Sequence, residues 1–288
     1  MDVVLNALTL GSLYCLLAVG LSLVYGVIGI PHFAHAGVVA SVALVVVYLQ
    51  RVTSIGFALQ VLIALAVGGA LAVAVERIAY APIVRKSRGE AAGPAVALGV
   101  LMALESGNLL IWGGDPHIVV TPYSSTSVDI LGASTSGVRL ALVAWAVVAI
   151  AALQVFLKRS RTGRSIVAVS QDQIAARLMG IGVRRTYMAA FFISGLLAGA
   201  AALAYGSLKP AYPYMADNII LDAFVVVIIG GMGSVYGAIV GGVLVAGAEV
   251  AGSAYLSAEY APVYSFIVLI LVLSIKPSGL FGRKVRAA

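Results

Sequence analysis

Apolar residues run along this chain in long blocks, separated by Gly, Pro and clusters of charge. The blocks predict membrane-crossing helices near 5–28, 34–50, 56–80, 93–112, 138–157, 187–206 and 262–276. Their lengths fit the roughly 17–25 residues a helix needs to cross about 30 Å of hydrocarbon. A further apolar stretch, 219–256, is broken by Gly230-Gly231-Met232-Gly233-Ser234. Strands of an outer-membrane barrel would alternate apolar and polar positions over about ten residues, whereas these blocks are continuously rich in Ala, Val, Leu and Gly. The pattern therefore predicts an all-α, polytopic membrane bundle of about 8–9 spans, forming one domain over 1–288.

A second interruption lies at Gly26-Val27-Ile28-Gly29-Ile30-Pro31-His32-Phe33-Ala34-His35-Ala36-Gly37. Two broken or re-entrant helices in corresponding halves point to a transporter built from related repeats, with its pathway at the discontinuities. The similarity between the two breaks is slight, so an internal pseudo-repeat stays an open reading.

Composition sharpens this picture. A chain that is 62% hydrophobic and 10% charged lies far from the globular average of about 45–50% apolar and about 25% charged. Its 32 glycines suit helices that must approach closely without a hydrophobic drive between them. The net charge of +7 would suggest nucleic acid in a water-soluble protein, but here the cations fall between spans and read as topology. Arg85, Lys86 and Arg88, the loop from Lys158 to Arg185, and the tail with Arg283, Lys284 and Arg286 are placed on the cytoplasmic side, and 113–137 and 207–218 outside. Parity then requires 219–256 to return to the side it left, with the reversal at Gly230 to Ser234. The same parity sets the N-terminus outside if the first block crosses once, and the side of that end stays open. Met1-Asp2 enters an apolar block without a basic leader, so the first span is expected to be retained.

Chemistry is sparse. Cys15 is the single cysteine, which excludes an internal disulfide and a Cys-based zinc cluster, and His117 has no spaced partner, so no metal site is expected. No G-x-x-x-x-G-K-[ST] phosphate cradle occurs, so any ATP hydrolysis belongs to another chain. No nucleophile, base and acid set has supporting context, and neither a catalytic site nor a cofactor is expected. Trp112 reads as an interfacial belt residue, and Glu76-Arg77 as a pair that packs and snorkels at the span end.

The polar loop 158–186 holds a more specific signal. Ser170-Gln171-Asp172-Gln173 has capping-box form, and Gly180 and Gly182 supply a helix stop. Between them Ile174 with Leu178, and Ala175 with Met179, form an apolar ridge at i,i+4 spacing. A helix this short is marginal in water. It is either a segment resting on anionic lipid or a docking helix for a partner. Candidate pathway residues are His32, Phe33, His35, Glu105, Gly230, Gly231, Gly233, Ser234 and Glu249, because ionisable groups inside a membrane are costly and mark function by default. Asp222 lies nearer a block end, and a buried, hydrogen-bonded role stays open for every one of these polar groups.

Several motifs together resemble one family. Asn6-Ala7-Leu8-Thr9-Leu10-Gly11-Ser12-Leu13-Tyr14, Phe33-Ala34-His35, Val75-Glu76-Arg77-Ile78-Ala79-Tyr80 with Pro82, Thr162-Gly163-Arg164, and Ala175-Ala176-Arg177-Leu178-Met179-Gly180-Ile181 follow its order. So do Gly230 to Ser234 with Gly237, Glu249 with Ala254-Tyr255-Leu256-Ser257, and Lys276-Pro277-Ser278-Gly279-Leu280-Phe281-Gly282. Over its whole length the chain resembles the LivH-type permeases of branched-chain amino-acid ABC importers. The resemblance implies a multi-pass subunit of the bacterial inner membrane that pairs with a homologous permease or a second copy. It also implies two cytoplasmic ATP-binding subunits and a periplasmic or extracellular substrate-binding protein. Ser170, Asp172, Ile174, Ala175, Ala176, Leu178, Met179 and Gly180 then correspond to a coupling helix seated on an ATPase.

Departures from the family bear on cargo, beginning with Ala36 at a position where the family usually has Gly. His32 stands where the family usually has Asn, Gly37 where it has Glu, and Leu104-Glu105-Ser106 where Leu-Gln-Asn is common. Urea, short amides and small acids therefore compete with branched-chain amino acids as cargo. A self-sufficient channel or secondary transporter using Glu105 and Glu249 as ion or proton sites is the competing class, and a structural or assembly role is a distant third.

Overall fold

The computed structural model describes residues 2–85, 89–124, 126–130 and 133–282. Lys86, Arg88, Arg283, Lys284 and Arg286 lie outside the described residues. Helix α1 (Asp2–Ile28) is followed by α2 (Ala34–Val52) and α3 (Phe57–Val75); α3 runs through a π turn at Glu76–Tyr80 into α4 (Ala81–Arg85). Then come α5 (Gly89–Trp112), strands β1 (Ser127–Ile130) and β2 (Ala133–Ser136), α6 (Gly137–Arg159), α7 (Arg161–Gln171) and α8 (Gln173–Leu178). Helices α9 (Val183–Leu208), α10 (Met215–Gly230), α11 (Val235–Tyr255) and α12 (Ala261–Ile275) complete the described chain.

Eight helices among the described residues are long and apolar enough to cross a membrane. Helix α10, at 16 residues, is about 24 Å long at 1.5 Å per residue and makes a ninth, shorter traverse. Every apolar block of the sequence is a helix, and the broken stretch is the pair α10–α11. The hairpin β1–β2, paired Ser127 with Ser136 through Ile130 with Ala133, was expected only as part of an outward loop. Four alternating residues carry too little pattern to distinguish strand from loop.

Contacts at the helix ends order the traverses. Gln173 on α8 donates from Nε2 to the Val27 carbonyl at 2.9 Å, so α1 ends on the face that carries α8, called here the inner face. His117 and Ala211 pair by backbone, and the Val119 N–H donates to Gly206 O at 2.8 Å, closing the opposite, outer face. The turn between α10 and α11 meets the segment after α12, where Leu280 N–H donates to Ile229 O and Phe281 N–H to Gly230 O. Helix α10 therefore descends to the inner face and α11 returns, as charge parity required. Nine traverses leave Asp2 on the outer face and Lys276 on the inner.

The core lies around α1, α2 and α9, whose membrane-crossing stretches are about two-thirds or more buried, with α10 packed against them. Their inward positions carry Ala, Gly, Val and Leu, small enough for helix axes to approach closely. In contrast α5, α6 and α12 leave most of their apolar surface outward, as suits helices facing lipid or another membrane subunit.

Candidate functional site

Helix α8 is built as a rigid projection. Its N-cap is Asp172, whose Oδ1 accepts from the N–H groups of Ile174 at 2.8 Å and Ala175 at 2.9 Å. The capping-box expectation is corrected by two positions: α7 continues through Gln171, and the Ser170 hydroxyl donates back to Val167 O. Gln173 does not reach back either. It bridges to Val27 O and accepts from the Tyr187 hydroxyl at 2.8 Å, tying α8 to α1 and α9. The C-terminal stop holds as expected, with Gly180 at φ +80 and bonds from Gly180 N–H to Arg177 O and Ile181 N–H to Ala176 O, the Schellman pattern.

Ala176 turns into the body at 4% exposure, while Ile174, Leu178 and Met179 are 74%, 83% and 82% exposed. The apolar ridge thus faces out of the protein on the inner face. Asp172→Ala should weaken α8 by about 1 kcal/mol and speed amide exchange at Ile174 and Ala175 about fivefold. Ser170→Ala should leave both rates at parental values; hydrogen exchange with residue resolution distinguishes the two caps.

The two interruptions predicted along the sequence meet. Gly29 at φ +78 turns the chain between α1 and α2, and Gly231 and Gly233, at φ +97 and +83, turn it between α10 and α11. Gly26 and Gly233 touch backbone to backbone, such that a Cβ on Gly26 would lie 3.1 Å from Gly233 O. Gly230 packs against Gly237 across the hairpin, and Ser234 caps α11 by accepting from Gly237 N–H at 3.0 Å. Around them an inner cavity of about 1330 Å³ opens, lined by Gly26, Lys158, Arg164, Gly233, Ser234 and Phe281 among others.

The remaining pathway candidates separate into two groups. His32 and His35 are 0% and 2% exposed, with ring centroids 6.0 Å apart. Nδ1 of His32 lies 2.9 Å from the Tyr80 hydroxyl and Nδ1 of His35 lies 3.1 Å from Ser194 Oγ. Each ring thus has one nitrogen partnered, where the α1–α2 turn and α2 meet Tyr80 and α9, while Nε2 of each is buried with no hydrogen-bond partner among the described residues; Phe33 packs tilted against Phe224 at 5.3 Å. Glu249 is satisfied, accepting from Tyr14 at 2.8 Å and Ser265 at 3.2 Å, a link across α1, α11 and α12. These partners, Tyr80, Ser194, Tyr14 and Ser265, were not predicted, because a hydroxyl in an apolar block gives no sign of what it faces. Glu76 is buried and Arg77 exposed, in line with packing and reaching outward.

Glu105 differs from Glu249: it is 6% exposed, and its Oε1 is buried with no hydrogen-bond partner among the described residues. It follows Leu104, which lies against Gly37 of α2. Two of the departures noted in the sequence, at 37 and at 105, thus sit across one helix contact.

A nine-traverse bundle with two glycine turns meeting beside an inner cavity, and a capped apolar helix projecting from the same face, defines a multi-pass membrane transport protein. The family model described as branched-chain amino acid transport system / permease component matches residues 3–273, and the chain belongs to that family. It is 33% identical to the high-affinity branched-chain amino acid transport system permease protein LivH of Salmonella typhimurium, covering 96% of this chain and 94% of that one. LivH of Escherichia coli K12 is 32% identical over the same shares, and BraD of Pseudomonas aeruginosa 29%. No solved structure matches the chain.

Proposed function

We propose that this chain is the membrane-spanning subunit of an ATP-driven importer of the bacterial inner membrane, carrying branched-chain or related amino acids. It works beside a second permease, which is a homologue or another copy, with two ATP-binding subunits and an external binding protein. The single observation that carries the ATP-driven reading is the exposed ridge of Ile174, Leu178 and Met179 on a helix fixed to both α1 and α9. A rigid apolar projection of this kind suits a protein groove, and through Gln173 a displacement of α8 acts on two core helices at once. The loop's cations, among them Arg164, Arg177, Arg184 and Arg185, support a cytoplasmic position for this face. Names of the LivH and BraD relatives support the cargo class.

In this mechanism ATPase closure moves α8, α1 and α9 shift with it, and the Gly26–Gly233 contact rearranges beside the inner cavity. Backbone meeting backbone there leaves no side chain to interlock, which favours sliding. The residues proposed to couple are Asp172, Ile174, Ala175, Ala176, Leu178, Met179 and Gly180; Ser170 serves α7. Glu105 is the proposed cargo contact, while Glu249 and Nδ1 of both His32 and His35 already have partners within the fold. Proteoliposomes containing permease, ATP-binding subunits and binding protein should accumulate L-leucine only with ATP. Uptake by this chain alone, driven by an ion gradient, would sink the reading in favour of a secondary transporter.

A further inference from the structure

Two side chains on one face of α5 are buried without the partners they need. Glu105 and Asn108, three residues apart, are 6% and 5% exposed, and Oε1 of the first and Nδ2 of the second have no hydrogen-bond partner among the described residues. Most buried polar groups are paired, and leaving one unsatisfied costs about 1–3 kcal/mol, more when it is charged. Residues at this spacing are helix-surface neighbours, with Cβ atoms about 5–6 Å apart, yet these two do not satisfy one another. Inside a membrane span such a cost marks a functional group. Glu249, a carboxylate within α11, carries no such cost because Tyr14 and Ser265 donate to it.

The two vacancies are complementary in kind. An ionised carboxylate only accepts, and an amide nitrogen only donates. One molecule satisfies both if it donates at the Glu105 end and accepts at the Asn108 end. Charge narrows the class further. Glu105 brings a negative charge once ionised, and a cation beside it favours that form. A small organic acid, with only a negative charge to offer, is repelled here. Urea or another neutral amide supplies the hydrogen bonds but leaves a buried charge unmatched, which is expensive. An ammonium group matches it through a charge-assisted bond of roughly twice the usual strength. Glu105 is seven residues from Trp112 at the outer end of α5, about 10 Å along the helix, so a solute entering from outside reaches it early.

We propose that Glu105 and Asn108 form the point at which the permease holds the zwitterionic head of an amino acid, Glu105 accepting from the ammonium and Asn108 donating to the carboxylate. The proposal rests on the importer reading above and adds to it a recognition site within the permease itself. Leu101 and Leu104, packed over Gly37, supply an apolar wall on the α2 side.

The test uses the complete importer in proteoliposomes with saturating binding protein, offered labelled L-leucine, urea or 4-methylpentanoate, the last being leucine without its ammonium. The parent should accumulate leucine alone. Glu105→Leu and Asn108→Leu should each lower leucine uptake at least tenfold, while ATP hydrolysis stimulated by the binding protein stays within twofold of the parent. Glu105→Asp should keep most of the uptake. Uptake within twofold of the parent in both substituted permeases overturns the site and leaves the importer reading standing. Parallel loss of uptake and stimulated hydrolysis in both assigns the pair a structural role and also overturns the site. A parent that accumulates no leucine overturns the site and the amino-acid reading together.

Discussion

A permease carrying Ile174→Asp with Leu178→Asp is expected to insert and pack normally, yet to lose both transport and co-purification with its ATP-binding subunits. The reason lies in what α8 exposes. Its polar and capping groups are already satisfied, by Asp172 at one end and Gly180 at the other, so the helix itself should survive substitution on its outer ridge. Ile174 and Leu178 are 74% and 83% exposed and touch little of their own chain. Burying each against a partner is worth about 1.5–3 kcal/mol. A carboxylate at each position forfeits that gain and adds the cost of an unpaired buried charge. Since each 1.4 kcal/mol is about a factor of ten in affinity, the pair should weaken association by more than about a thousandfold. Pull-down of the ATP-binding subunits, with blue native gels for assembly, reads the effect. Association at the parental level would remove α8 as the docking element and return it to the lipid-surface alternative.

Which parts of the molecule the sequence discloses follows from the range over which each force acts. Span positions are legible because hydrocarbon thickness imposes a length on every crossing helix. Charge parity alone required the turn at Gly230 to Ser234, and the C-terminal strap from Lys276 to Gly282 was visible as a motif. Their union, with Phe281 and Leu280 donating to the last carbonyls of α10, was not visible, because it joins positions about fifty residues apart. The cap of α8 shows a different limit. Ser170 and Asp172 both offer a hydroxyl or carboxylate oxygen two or three residues before a helical N–H, and local spacing does not choose between them. The choice falls to Asp172 because α7 continues through Gln171 and places Ser170 inside a helix. For the pathway candidates the obstacle is partnership. Glu105 and Glu249 look alike in an apolar block, and only the fold shows that Tyr14 and Ser265 reach one while Oε1 of the other has no hydrogen-bond partner among the described residues.

Gly195→Leu should be the most damaging single substitution outside the coupling loop, lowering stability by about 3 kcal/mol or more, at the upper end of overpacking costs. Helices α3 and α9 cross in backbone contact: a Cβ on Gly68 would overlap Gly195 O, and one on Gly195 would overlap Gly68 O and lie 2.7 Å from Ala72 Cβ. Four residues on, a Cβ at Gly199 would lie 2.9 Å from the Ala64 carbonyl carbon. The clash is with main chain, which has no rotamer to escape into, so the helices must separate along the whole seam. That seam holds function in place as well. Helix α9 begins just after α8, carries Tyr187 against Gln173, and positions Ser194 against His35, so loosening it uncouples the inner face from the core. Gly99→Leu on α5 is the control, since a Cβ there meets nothing and replacing Gly should favour the helix by up to about 1 kcal/mol. Cys15 makes the comparison direct. It is the only cysteine in the chain and is 3% exposed, so a thiol-reactive dye reports unfolding in detergent. If Gly195→Leu and Gly99→Leu take up dye at the same temperature, the α3–α9 seam is looser than its geometry indicates, and coupling from α8 must run through α1.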